Sequence, residues 1–211
     1  MEHTLRNLAH RRRARFCLPV LSVTLALVGL LWLASLGGSW AAPPEQAGTG
    51  CLHGHVQLEA CPPNGETIPE CCRPFTVYVE SCGKTIPPCT VPPCAATVPV
   101  DAQGWFTVCQ LLSGSHDIVV RGYNTLANLR TGINVPVGTI PVDFGTLRPG
   151  DASGNNAVDI LDYSILATAY GTSKDGPGWD RRADFNCTCH IEILDYSWLA
   201  TYYAEQGATC P

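Results

Sequence analysis

Apolar and polar residues alternate in five short stretches of the chain: 54–60, 75–81, 104–111, 116–122 and 139–145. A period of two gives a strand one row of side chains per face, and Thr, Val and Ile are frequent in these stretches. Pro, Gly and Asn separate them. Short strands at this spacing predict an all-β antiparallel sandwich over residues 51–148. Residues 70–75 and 85–94 break the alternation with Pro and Cys. A loop held by disulfides is expected there, because proline cannot serve a central ladder.

Beyond residue 150 the period changes. Residues 159–170 and 192–203 share Ile-Leu-Asp-Tyr-Ser, Leu-Ala-Thr and a final Tyr at an offset of 33. Both read as helices, each preceded by an oxygen-rich loop. They predict a small all-α module over residues 149–204, followed by a tail, 205–211. Tyr163, Leu166 and Tyr170, and likewise Tyr196, Leu199 and Tyr203, have the spacing to face the module core. A second stripe combines Leu161, Ile165 and Thr168 on one helix with Leu194, Trp198 and Thr201 on the other. Ile160 and Ile193 flank it. Such a stripe is either a contact surface or internal packing.

The N-terminus follows a third pattern. Five arginines among residues 6–15 precede an apolar run over 16–36, with small residues beyond it. Residues 1–41 therefore read as a hydrophobic leader, either a cleaved export signal or a retained single-span membrane anchor. Either way the remainder is exported, and only an uncleaved leader would touch a membrane. From Ala41 onward there are 8 Lys+Arg against 17 Asp+Glu, a net charge of −9. That balance argues against a nucleic-acid partner, which calls for basic patches. Twelve cysteines agree with an oxidising compartment. Eight of them (Cys51, Cys61, Cys71, Cys72, Cys82, Cys89, Cys94 and Cys109) lie in the sandwich region, enough for up to four disulfides within it. Cys187, Cys189 and Cys210 form an odd group. A link from one of the first two to Cys210 is expected, although Cys187-Thr188-Cys189-His190 also has the look of a soft-metal cluster.

The two loops have the spacing of EF-type calcium sites, which place oxygen ligands at positions 1, 3, 5, 7 (a backbone carbonyl), 9 and 12. The first offers Asp151, Ser153, Asn155, the Ala157 carbonyl, Asp159 and Asp162. The second offers Asp184, Asn186, Thr188, the His190 carbonyl, Glu192 and Asp195. Position 6, which needs a left-handed backbone, is Asn156 in one loop and Cys189 in the other. Val158 and Ile191 hold position 8, where an apolar side chain meets the partner loop. Asparagine tolerates the left-handed region better than most residues. Cysteine there and a hydroxyl at position 5 are expected to make the second calcium site the weaker.

This arrangement, Asp-x-(Asp/Asn/Ser)-x-(Asp/Asn)-(Gly/Asn)-x-(Val/Ile)-(Asp/Asn)-x-x-Asp repeated without an entering helix, resembles the type I dockerin module. The resemblance implies a calcium-folded module that docks onto a cohesin-like partner, often in polysaccharide-degrading systems. It also implies that Ile160, Leu161, Ala167 and Thr168, with Ile193, Leu194, Ala200 and Thr201, meet that partner. Ile165 and Trp198 belong to the same candidate face. Near-identity of the helices suggests two docking orientations related by about 180°. Residues 101–122 resemble carboxypeptidase-regulatory-like and collagen-adhesin-B-like sandwiches. That likeness implies a seven-strand fold of immunoglobulin or prealbumin type, without catalytic residues.

His53 and His55 lie on one face of a strand, either as an edge-strand pair or, with nearby cysteines, as zinc ligands. No Ser-His-Asp, paired-Glu or nucleotide-loop motif occurs in a sensible context, so no enzyme is expected. The leading expectation is an exported, non-catalytic docking protein. The alternative is a carbohydrate-binding accessory protein with a polysaccharide partner, the sandwich being its active part.

Overall fold

Seven strands build two facing sheets in the computed structural model, which describes residues 48–60, 68, 70–84 and 95–211. The expected leader and Cys61, Cys89 and Cys94 lie outside the described residues. The strands are β1 (Thr49–Leu58), β2 (Phe75–Ser81), β3 (Ala95–Val100), β4 (Trp105–Leu112), β5 (Gly114–Gly122), β6 (Asn128–Val135) and β7 (Thr139–Leu147). One sheet has the order β4-β1-β7 and the other β3-β2-β5-β6. Leu52, Val56, Phe106 and Phe144 of the first meet Phe75, Val77, Val79, Ile118 and Val120 of the second in one buried core.

The five alternating stretches fall on β1, β2, β4, β5 and β7. Two further strands complete the seven. β3 carries Pro99 but lies at a sheet edge, where the missing N–H breaks no central ladder. β6 has few buried positions and so little alternation to read. The sandwich is not purely antiparallel, because β1 pairs with β7 in parallel. The chain crosses from β6 in one sheet to β7 in the other and arrives beside β1 running the same way.

The helices follow as α1 (Ile160–Ala169) and α2 (Ile193–Tyr202). Leu166, Ala169 and Leu199 pack with Ala152, Val158, Ala183, Phe185 and Ile191 in a second core. Leu126, from the β5–β6 turn of the sandwich, is buried in that core too. Expectation and structure part at the tyrosines: Tyr163, Tyr170, Tyr196 and Tyr203 are exposed, and only Leu166 and Leu199 of those rows face inward.

The cysteines depart furthest from expectation. Cys51–Cys109 joins β1 to β4. The other three disulfides, Cys71–Cys189, Cys72–Cys187 and Cys82–Cys210, run from the sandwich to the C-terminal module. A single 3-10 turn, Glu70–Cys72, presents two of those partners side by side. Cys210 thus closes onto β2's end, not onto Cys187 or Cys189. Residues 46–211 form one compact unit.

Candidate metal centre and docking face

Each loop buries the carboxylates of positions 1 and 12. Asp151, Asp162, Asp184 and Asp195 are all at most 1% exposed. Asp151 accepts hydrogen bonds from the Gly154, Asn155 and Asn156 amides at 2.7, 3.0 and 2.8 Å. Asp184 accepts from Thr188 and Cys189, both at 3.1 Å. Asp162 accepts from the Ser153 and Asp159 amides at 2.7 Å each. Asp195 accepts from Phe185, Asn186 and Glu192 at 2.8, 3.2 and 2.9 Å. The offset of 33 therefore survives in the hydrogen bonds. Each position-12 carboxylate also caps the helix it begins, binding the amide of position 9.

Electrostatics set these four carboxylates apart. The ion pairs among the described residues are His55–Asp143, Arg148–Glu205 and Arg182–Asp180, so none of the four has a cationic side-chain partner. Burial pushes the Asp184 carboxyl up to about 6, and the neighbouring Asp195 adds to the shift. Asp151 is raised by burial and by Asp162, and Asp195 is raised chiefly by burial. Buried like charges held by amides and a hydroxyl, with no cationic side chain beside them, are what a hard cation would relieve.

The remaining candidate ligands cluster around these pairs. Asn155 Oδ1 accepts from the Ala157 amide at 2.8 Å, and Asn155 Nδ2 donates to Asp159 at 3.0 Å. Ser153 Oγ lies 3.3 Å from Asp151. In the second loop Thr188 Oγ1 lies 2.9 Å from Asn186 Oδ1 and 3.2 Å from the His190 carbonyl, drawing positions 3, 5 and 7 together. Asn186 Nδ2 is buried without a hydrogen-bond partner. Glu192 is exposed. The residues present suit calcium in donor type. A three-residue cluster of His, Cys, Asp and Glu side chains poised for a metal does not occur among the described residues. An EF-type site draws in addition on amide, hydroxyl and carbonyl oxygens.

Position 6 adopts the expected left-handed backbone in both loops, with φ of 67° at Asn156 and at Cys189. Position 4 does so as well, at Gly154 and Cys187. Val158 and Ile191 at position 8 are buried in the module core, yet their backbones do not pair with each other. Val158 N donates to the Glu205 carbonyl after α2, and Ile191 N to the Thr172 carbonyl after α1. Each loop is thus tied to the chain that leaves the other helix.

The helices carry the same symmetry to the surface. Ile160 and Ile193 are 59% and 60% exposed, and Leu161 and Leu194 are 55% and 52%. Tyr163 and Tyr196 meet edge-on at 6.4 Å between ring centroids. Ala167, Thr168, Ala200 and Thr201 are exposed alongside. Ile165 and Trp198 are half-buried against the module core, so the stripe is divided between surface and packing. Symmetry ends there. Trp198 stacks on Tyr202, over which Arg148 lies, whereas Ile165 borders a cleft of about 390 Å³ lined also by Ser164, Thr168 and Trp179.

On the outer face of the three-stranded sheet, His53 stacks on Trp105 with centroids 4.6 Å apart, and His55 contacts the same indole. His53 Nδ1 bonds Thr107 Oγ1 and His55 Nδ1 bonds Asp143. The histidines engage a cross-strand cluster, and among the described residues no cysteine joins them in a metal-binding group.

No family model matches the sequence, and no curated protein matches it. Solved structures do. A chain from a type II cohesin–X-dockerin complex of Acetivibrio cellulolyticus, carrying C-terminal interface mutations, matches with a TM-score of 0.56 and 16% identity. The match covers 75% of this chain and 97% of that one. A second such complex from the same organism, mutated at the N-terminal interface, gives a TM-score of 0.53 and 16% identity over 76% and 97%. At this identity the likeness is one of fold. Everything before Arg148 amounts to less than three quarters of the chain, so the match runs beyond the sandwich. The molecule is a mainly β sandwich with two short helices late in the chain. The four disulfides among the described residues belong to an extracellular, oxidising setting.

Proposed function

We propose that this chain is an exported, non-catalytic assembly protein. Its C-terminal module binds calcium through Asp151, Ser153, Asn155, Ala157, Asp159 and Asp162 and through Asp184, Asn186, Thr188, His190, Glu192 and Asp195. So loaded, it docks its helices onto a cohesin-like domain. The observation that carries this reading is the repeated buried carboxylate pair, which has no cationic side-chain partner among the described residues, beneath helices with matched apolar exposure. Calcium supplies the positive charge that lets both carboxylates of a pair ionise in place. Asp162 and Asp195 couple the loops to the docking face, because each also caps its helix. Ile160, Leu161, Ile193 and Leu194 supply apolar contact, and the tyrosine pair occupies the middle of the face.

Capture on immobilised cohesin domains tests the reading, in calcium and in EDTA. Binding in calcium that EDTA abolishes is expected, as is its loss in Leu161→Ser/Leu194→Ser with the melting temperature retained. Binding indifferent to EDTA would overturn the calcium step. Failure of every cohesin domain to capture the protein would overturn the partner class.

The half-buried Trp105 platform, flanked by His53 and His55, favours a second reading in which the sandwich binds polysaccharide. A glycan array probed with the parent and with Trp105→Ala decides it: a signal lost in the variant supports it, and an empty array removes it.

A further inference from the structure

We infer that Cys71 and Cys72 of the sandwich are positioning residues for the second calcium loop, and that their disulfides make the second site the tighter one. The inference rests on the calcium reading above and reverses the order of affinity expected from the loop residues alone. Both loops require left-handed backbone at positions 4 and 6. The first meets that need with Gly154 (φ 76°) and Asn156 (φ 67°), the second with Cys187 (φ 61°) and Cys189 (φ 67°). For a residue with a Cβ this conformation is unfavourable, and only Gly and occasionally Asn visit it routinely. A free loop with two such cysteines would be poorly organised for a metal.

The loop is not free. The sandwich takes hold of both loops at the same two positions. In the first loop the hold is by hydrogen bonds: Arg121 Nη1 donates to the Gly154 carbonyl at 2.7 Å, and Asn156 Oδ1 accepts from the Ala127 amide at 2.9 Å. In the second it is covalent, Cys72 to Cys187 at position 4 and Cys71 to Cys189 at position 6. Asp184, Asn186 and Thr188, which precede or lie between the two cysteines, meanwhile turn their oxygens toward one another and the loop amides. Cys72 and Cys187 are themselves buried in the sandwich core. The chain therefore meets the cost of the two left-handed residues when the disulfides form, before any metal arrives. A ligand set held in its bound geometry gains affinity because less ordering is left for the binding step.

Calorimetric calcium titration of the oxidised protein tests this. Asp184→Ala should remove the tighter site and Asp151→Ala should leave it. In the Asp151→Ala background, Cys71→Ser/Cys189→Gly breaks one covalent hold while glycine relieves the left-handed cost. Calcium affinity should then fall about tenfold to a hundredfold, the range seen when groups that orient metal ligands are removed. Unchanged affinity, or loss of the tighter site in Asp151→Ala, overturns the inference and leaves the calcium reading standing. No calcium uptake by the parent overturns that reading itself. Hydrogen exchange of the parent in EDTA serves if the variants fail to fold. The Thr188 and Cys189 amides should exchange more slowly than those of Asn155 and Asn156, and equal or faster exchange overturns the inference.

Discussion

Asp184 gives the clearest consequence at the scale of single residues. Its folded carboxyl is raised to about 6 from an ordinary value of 3.8. An acid raised in this way holds its proton more tightly when folded, so the linked stability is present below the unfolded value and is lost as pH rises through the folded one. Asp151 and Asp195 shift in the same direction. For Asp184 alone the effect is on the order of 3 kcal/mol. Without metal, the melting temperature should therefore fall as pH climbs from about 4 to about 7. A hard cation takes up carboxylates in their ionised form, so on the proposed calcium reading the trend should reverse across the same window in excess calcium. Melting curves in EDTA and in calcium check both slopes, and parallel slopes would mean that calcium does not sit on these carboxylates. The four buried loop carboxylates stood out in sequence because Asp151 and Asp162 recur as Asp184 and Asp195 at a fixed offset. The roles of Cys187 and Cys189 did not, because a loop read alone shows what a residue costs and not what holds it.

Helices and strands were legible to different depths. The repeated helices announce themselves, but their inward face does not, since apolar residues lie on several sides of each. Tyr163 and Tyr196 fit a core row by spacing, yet of those rows only Leu166 and Leu199 are buried. Leu166→Ala should accordingly cost about 2–5 kcal/mol by leaving a cavity. Tyr163→Ala should cost much less and weaken docking instead. Urea unfolding paired with cohesin capture separates the two effects; equal destabilisation would contradict the exposed placement of the tyrosine. Among the strands, alternation identifies β1, β2, β4, β5 and β7, whereas edge strand β3 and sparsely buried β6 carry too little of it. Gly54 in β1 shows a constraint that alternation cannot express. A Cβ there would stand 2.1 Å from the Phe106 ring, so this inward position must be empty for the ring to lie across it. Gly54→Ala should cost about 1–3 kcal/mol by overpacking, and the same urea experiment measures it.

For the whole molecule, the decisive fact is that sandwich and loop-helix module share structure. Leu126 of the sandwich belongs to the module core, and Cys187 of the module belongs to the sandwich core. The chain's last residues return as well. Gly207 N donates to the Asn156 carbonyl, Ala208 N donates to the Ala127 carbonyl, and Cys210 is joined to Cys82. Arg181 reaches the Pro74 carbonyl at 2.7 Å and lies over Tyr123. A sequence read in segments predicts two bodies on a short tether, because cysteines near one another in sequence invite local pairing. Pairings over 115, 118 and 128 residues cannot be read from spacing. Shared cores imply shared cooperativity: neither part can open without exposing apolar surface of the other. The oxidised protein should therefore melt in a single calorimetric transition, with the calorimetric and van't Hoff enthalpies in agreement. Calcium should move that whole transition and not a separate module peak. Excised residues 148–211 lack Leu126 and the three sandwich cysteines, Cys71, Cys72 and Cys82, that pair with the module. They should stay largely unfolded in calcium concentrations that saturate the intact chain, as circular dichroism would show. Two resolved transitions, with calcium shifting one of them, would mean that the module folds on its own and that the disulfides only tether it.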